Sequence, residues 1–164
     1  MALPNKVLPG FSASLYAQSG SSPTVLTNTQ LATYASVSAI AVSGNVVPVE
    51  SIPAFGQDDA SANFSVAGSR QSDKIPVQSA PTSMTITAAW NPSDTSLLQI
   101  RTDAYAGTTD RTFVIAAVDG ASTIAYAFNG RVSQFHIDAQ PGAEAKATFT
   151  LHPRGNMYGW SNNA

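Results

Sequence analysis

The 164-residue chain has no cysteine. That removes a disulfide framework, a thiolate metal site and a cysteine nucleophile at once, and it suits a reducing cytosol. Charge is scarce too: 11% of residues are Asp, Glu, Lys or Arg, against about 25% in an ordinary soluble domain. The formal charge of −2 comes without any basic cluster, which argues against tight nucleic-acid binding, because counterion release needs several Lys or Arg presented together. No apolar run approaches the roughly 20 residues of a membrane span. Residues 1–9 also lack the basic start and unbroken apolar stretch of a signal peptide. A soluble protein made in the cytoplasm, with no membrane insertion, is expected.

Chemical motifs are equally sparse. His136 and His152 are the only neutral-pH bases, and alternation puts each on the more polar face of a strand, as solvated or hydrogen-bonded side chains. Ser-His-Asp catalysis needs no sequence proximity, but no Gly-x-Ser-x-Gly elbow supports it. Phosphate-binding and dinucleotide-binding glycine loops and a His-x-x-x-His pair are missing as well. No enzyme activity and no cofactor are expected. Asp58-Asp59 has the chemistry for a hard cation without the spacing of a calcium loop, so a solvated turn is the simpler reading. Asn63-Phe64-Ser65 matches a glycosylation acceptor, which a chain without a signal peptide does not meet. Tyr158 and Trp160 near the C-terminus fit a sugar or peptide platform, or equally a contact onto a neighbour.

What the sequence does carry is strand pattern. The length suits one domain over 1–164 that buries roughly two thirds of its unfolded surface. Abundant Ala, Ser and Thr with little charge fit either a surface covered by further copies or a Ser/Thr-rich sandwich exterior. Phe11, Ala13, Leu15 and Ala17 share one parity and predict a first strand behind an N-terminal arm, 1–10. Residues 34–42, rich in small side chains, predict a second strand. From 44 to 81 the pattern dissolves among prolines, glycines and aspartates. That is far longer than the 12–15 residues of an ordinary loop, and Phe55 and Phe64 weigh against disorder. An extended arm packing on another subunit is expected, the alternative being a lid with a short hairpin at 62–66.

Met84, Ile86, Ala88 and Trp90 then alternate with threonines, and Asn91-Pro92-Ser93 stops the strand. Ser93 is the expected N-cap of a helix at about 94–105, with Asp94 in its first turn. Leu97, Ile100 and Ala104, flanked by Leu98 and Tyr105, form its apolar stripe, and Gly107 its stop. Residues 113–118 are apolar on both parities and predict a strand covered on both faces, turning at Asp119-Gly120-Ala121-Ser122. The next strand changes phase between Phe128 and Phe135, with Asn129-Gly130 as a bulge or tight turn. After a turn at 140–143, Ala145, Ala147, Phe149 and Leu151 make a final alternating strand. Pro153 is expected to end it and to leave a tail, 153–164. The expected core includes Trp90, Leu97, Ile100, Phe128, Phe149 and Leu151.

The order of these features resembles the tail tube (major tail) protein family of long, non-contractile-tailed bacteriophages, siphophages, which is related in fold to type VI secretion tube proteins. The pieces that carry the resemblance are Thr85-Ile86-Thr87-Ala88-Ala89-Trp90-Asn91-Pro92, where a strand meets a helix, and Phe128-Asn129-Gly130-Arg131-Val132. The resemblance implies a mainly β antiparallel sandwich or barrel with one flanking helix and a long arm, six subunits to a ring, and rings stacked into a hollow tube that conducts DNA without specific binding. Six copies of a −2 chain carry about −12, the sign that repels DNA. On this reading the inter-subunit and inter-ring contacts fall to Phe55, Asp58, Asp59, Phe64, Arg70, Lys74, Tyr158 and Trp160. The partners implied are the chain itself, a tape measure protein, a tail terminator and tail tip proteins, in a virion tail assembled in the host bacterial cytoplasm. The reading from a different class is a carbohydrate- or protein-binding β sandwich of a virion or cell surface.

Overall fold

The computed structural model describes residues 12–65, 72–119 and 122–162. Its elements run β1 (Ser12–Ala17), α1 (Asn28–Leu31), α2 (Tyr34–Ser38), a 3₁₀ turn (Ser43–Asn45), β2 (Val46–Val47), β3 (Val49–Ser51), β4 (Gln57–Ser65), β5 (Ser72–Pro81), β6 (Met84–Ala89), α3 (Thr95–Ala106), β7 (Asp110–Asp119), β8 (Ser122–Asp138) and β9 (Lys146–Asn162). Seven strands form one antiparallel sheet in the order β2-β1-β7-β8-β9-β6-β3, while β4 and β5 form a separate two-stranded sheet. The two edges of the large sheet, β2 and β3, are consecutive in the chain. They are joined through Pro48, whose missing N–H costs no ladder bond at a change of partner and whose carbonyl accepts from the Ala89 N–H at 2.8 Å. The sheet therefore curls into a nearly closed, barrel-like layer, the mainly β fold expected from the sequence.

The period of each strand decides which layer it feeds. On β7, Phe113 and Ile115 point into the barrel, where they join Leu15, Ile86, Phe128, Phe149 and Leu151. Val114 and Ala116 point outward and are covered by Leu31, Val37 and Ile40 of the α1–α2 segment. Every residue from 111 to 116 is buried, so the double-sided apolar run has a physical cause. Inside, Phe113 stacks on Phe128 with centroids 6.0 Å apart, and Phe135 on Phe149 at 6.1 Å.

Residues 34–42 depart from expectation. They form helix α2 and the turns after it, not a strand. Val37 and Ile40, three apart, supply a one-sided apolar face that buries on the sheet, and a short run of small residues fits either period. The readable signal lay upstream. Thr27 and Gln30 form a capping box, the Thr27 N–H donating to Gln30 Oε1 at 2.9 Å and the Gln30 N–H to Thr27 Oγ1 at 3.3 Å. Among the described residues there are thus two short α-helices besides the flanking one.

The flanking helix α3 is capped by Asp94, not Ser93: Asp94 Oδ1 accepts from the Leu97 N–H at 2.9 Å, while the Ser93 N–H donates to Asn91 Oδ1 in a local turn. Gly107 ends it at φ 67°, the left-handed conformation that favours glycine. Leu97 and Ile100 are fully buried in the barrel. Tyr105 departs from the expected stripe and is 72% exposed. The buried face runs instead through Asp103, whose Oδ2 accepts from Arg111 Nε at 2.6 Å. Arg111 also donates to the carbonyls of Gln18 and Gly20 and to Gln99 Oε1, so one guanidinium ties α3, β7 and the loop after β1 together.

Strands β8 and β9 depart from expectation in two places. Ser133 faces Thr150 and His136 faces Thr148, so β8 holds an extra residue at Gln134, which sits at φ 54°. This bulge makes the change of phase. At Asn129 the register also shifts, but there the surplus lies on β9, around Gly155 at φ 75°. Gly130 serves close packing: a Cβ on it would lie 3.1 Å from Leu151 Cδ1 and 3.2 Å from the His152 carbonyl. Asn129 is a hydrogen-bonding residue. Its Oδ1 accepts from Thr112 Oγ1 at 2.7 Å and its Nδ2 donates to the Leu26 carbonyl at 2.8 Å.

Nor does Pro153 end β9, which continues to Asn162. Pairing with β6 stops at Leu151, so Pro153 lies where one side of β9 has lost its partner, a place that tolerates a residue without an N–H. The expected tail beyond Pro153 is therefore the second half of a strand.

Trp90, just past β6, is half-buried. It packs edge-to-face on Phe135 at 5.8 Å, with the Arg101 guanidinium 5.9 Å from its ring. Full truncation of a buried aromatic costs about 3–5 kcal/mol. Because this ring keeps part of its surface wet, Trp90→Ala is expected to cost about 2–3 kcal/mol, read as a lower urea midpoint at constant slope. A loss below about 1 kcal/mol would show that the ring contributes little to the core.

Candidate assembly surfaces

The predicted arm is regular. Residues 57–65 and 72–81 pair as a two-stranded ribbon, β4 against β5, in register from Gln57 with Pro81 to Ser65 with Ser72. A register shift beside Ala60 and Ser61 puts the surplus residue on β5 next to Pro76, which cannot donate to a ladder. Neither strand pairs with the barrel sheet. The base is closed by the Thr82 N–H donating to the Gly56 carbonyl at 3.1 Å, and by Thr82 Oγ1 donating to Asp58 Oδ2 at 3.0 Å. A two-stranded ribbon is marginal alone in water and presents unpaired backbone on both edges.

The predicted contact residues fall into three groups. Phe55 is half-buried at the foot of the hairpin, edge-to-face with Tyr126 of its own chain at 5.1 Å. Tyr126 in turn lies over Gly159, where a Cβ would come within 3.0 Å of its ring. Phe55 thus anchors the hairpin to the barrel. Asp58 is exposed beside it. Asp59, Phe64 and Lys74 lie on the hairpin, opposite Ser79, Asp73 and Asn63, and Arg70 lies outside the described residues. Tyr158 and Trp160 are far from the hairpin group in role: both pack half-buried on the outer face of the sheet, beside Val114, Ala116, Ala125 and Ala127.

Charged and titratable groups are arranged for cohesion. Asp110 accepts from Arg131 Nε at 2.9 Å and from Arg154 at 2.7 Å, joining β7, β8 and β9 at one end of the barrel. Lys146 pairs with Glu50 at 2.6 Å. The hydrogen bond and the charge of Glu50 raise its amine above the ordinary value of 10.5. His152 lies between two hydroxyls, Ser83 Oγ 2.8 Å from Nδ1 and Ser133 Oγ 2.7 Å from Nε2, while His136 is exposed. Among the described residues no three His, Asp or Glu side chains converge as metal ligands, and no helix is long and apolar enough to cross a membrane.

No family model and no curated protein matches the sequence. Solved structures do. A chain from the cryo-EM structure of the anti-feeding prophage baseplate, 6-fold symmetrised, superposes with a TM-score of 0.65 over 98% of this chain and 97% of its own, at 11% identity. The SPP1 tail tube, a hybrid structure from solid-state NMR and cryo-EM, gives 0.55 over 93% of this chain and 77% of its own, at 13% identity. The chain has a tail-tube-like fold. At these identities the likeness lies in the course of the backbone. Within the tail-tube-like fold, the barrel sheet and α3 are the body, and β4 and β5 form a separate ribbon, with β5 beside β9. The sequence pointed to an arm but not to its form, because Pro76 and the Asp and Ser residues that read as loop sit at a bulge and on strands with open edges.

Proposed function

We propose that this chain is a structural subunit, without enzymatic activity, that self-assembles into hexameric rings stacked as the hollow tube of a phage tail. The observation that carries the reading is the fold shared with the SPP1 tail tube over 93% of the chain and with a baseplate chain over 98%. The separate hairpin supports it, as a ribbon that gains order by lying on another subunit. The low charge supports it as well, because a surface covered by copies needs few ions. In the proposed tube the net negative subunit lets DNA pass by repulsion. The tape measure protein, terminator and tip proteins are its proposed partners, and assembly in the host cytoplasm before incorporation in the virion is the proposed route.

Negative-stain electron microscopy of the purified protein across a concentration series tests this. Hollow tubes or stacked rings with a central channel are the expected result. Dispersed monomers at every concentration, also in the presence of preformed tail tips, would remove the tube reading and favour a carbohydrate- or protein-binding module.

A further inference from the structure

The sequence has no basic cluster, yet the fold builds a small one. Register sets Arg131 of β8 opposite Asp110 of β7, and Arg154 of β9 opposite Asn129 of β8. Asp110 then divides its two oxygens between the guanidiniums: Arg131 Nε donates to Oδ1 at 2.9 Å and Arg154 Nη1 to Oδ2 at 2.7 Å. Two cations on one carboxylate leave one positive charge in surplus. Arg131 is fixed further by donating from Nη2 to the Thr108 carbonyl at 3.0 Å. Arg154 is 56% exposed, and its side chain makes only the Asp110 hydrogen bond among the described residues. The rest of its donor fork suits a second carboxylate.

The chain carries the complement. Toward the other end of the same face of β9, Lys146 pairs with Glu50 at 2.6 Å, while Asp138 lies directly opposite it and Glu144 two residues before it. One ammonium among three carboxylates leaves two negative charges in surplus. Glu144 and Asp138 both add to the effect of Glu50 in raising the Lys146 amine, so the group is close-set. Residues 139–144, in the turn from β8 into β9, are all exposed, and the acidic group is therefore open to a partner. The two groups do not meet within one chain. Lys146, Thr148, Thr150, His152 and Arg154 are alternate residues of β9, and eight positions separate the first from the last, roughly 26 Å at strand rise. The face between them is neutral in composition: Thr148 lies opposite His136 and Thr87, and Thr150 opposite Ser133 and Thr85. In a chain with 11% charged residues, opposite surpluses are thus held apart on one face. Complementary patches at different places on one molecule make a heterologous contact, which closes a ring or propagates along an axis.

We propose that the Arg131–Arg154 site of one copy receives the acidic β8–β9 turn of the next, with Glu144 and Asp138 meeting the open side of Arg154. The contact rests on the proposed self-assembly and gives it a polarity. Charge complementarity sets partner and register more than it adds affinity, so this contact decides how successive copies align.

A charge exchange tests it. Arg154→Glu and Glu144→Arg each set like charges against one another across the contact. Each is expected to raise the concentration needed for assembly, read by sedimentation and microscopy, at least about tenfold. The double variant, Arg154→Glu with Glu144→Arg, restores opposite charges and should assemble within about threefold of the native chain. The two single variants mixed in equal amounts should also assemble better than either alone, because copies that alternate again present opposite charges. The single defects should shrink as salt rises to about 1 M, where the screening length falls to about 3 Å. Both positions are exposed, and exposed ion pairs add little to folding, so all variants should keep near-native urea midpoints. A single variant that assembles like the native chain, or single defects that neither the exchange nor the mixture relieves, would overturn the contact while leaving the tube reading intact. A native chain that forms no assemblies at any concentration would overturn both.

Discussion

Asp103→Ala is expected to remove about 3–5 kcal/mol of folding stability, a large share of the roughly 5–15 kcal/mol that holds a domain of this size together. The side chains of Asp103 and Arg111 are 3% and 1% exposed. Arg111 cannot give up its charge, and among its named partners only Asp103 carries a compensating one, the others being two backbone carbonyls and the Gln99 amide. Removing that carboxylate leaves an almost fully buried cation without a compensating charge. The partners also decide what fails first. Arg111 joins α3 to the Gln18–Gly20 loop, so α3 and its exposed Tyr105 would loosen before the strands. Equilibrium urea unfolding checks the magnitude. The double variant Asp103→Leu with Arg111→Met provides the contrast: with both charges gone, the desolvation cost goes too, and stability should return to within about 2 kcal/mol of the original. A single variant that loses less than about 1 kcal/mol would show that water reaches the pair. A double variant as unstable as the single would show that the guanidinium's bonds to Gln18 and Gly20 matter more than the charge.

The β7 run and the helix from Asp94 to Gly107 could be read because their periods are long and strong enough to survive local exceptions. Asp103 could not. It lies on the apolar side of α3, where a carboxylate reads as a break in the stripe until its partner eight residues on is seen to fold beneath it. The misread region, 34–42, is short, and alternation and helical spacing fit its small residues equally well, so only the Thr27–Gln30 capping box upstream favours a helix. At Pro153 the local rule was right about the missing donor but could not know that β6 stops at Leu151 and frees that side of β9. The hairpin was legible only as the short alternative at 62–66, for a related reason. Its strands have no barrel partner, so their pattern was not held to the alternation that a buried face imposes. The packing of Tyr158 and Trp160 on the outer face needs the register of β7, β8 and β9, which no local pattern contains.

Replacing residues 58–80 by two glycines is expected to abolish tube formation while leaving the barrel folded. The closure is geometrically easy, because the Thr82 N–H already reaches the Gly56 carbonyl at 3.1 Å, so the two ends of the excised ribbon meet. The barrel-core residues named above, from Leu15 and Val47 to Phe149 and Leu151, all lie outside that span, and Phe55 stays in place to cover Tyr126, although β5 runs beside β9. The urea midpoint should therefore move by less than about 1 kcal/mol equivalent, as for a change outside the core. Assembly should respond quite differently. A ribbon of two strands with both edges unpaired gains most when its backbone and faces meet a neighbour, and interfaces concentrate their energy in a few such elements. Microscopy at concentrations where the full chain forms tubes should show only dispersed particles or single rings, and sedimentation should show a folded subunit. Full-length tubes from the deletion variant would remove the hairpin from the mechanism. Unfolding would show that it belongs to the barrel's own stability. Single rings without stacks, the intermediate outcome, would assign the hairpin to the contact between rings and leave ring closure to other faces of the subunit.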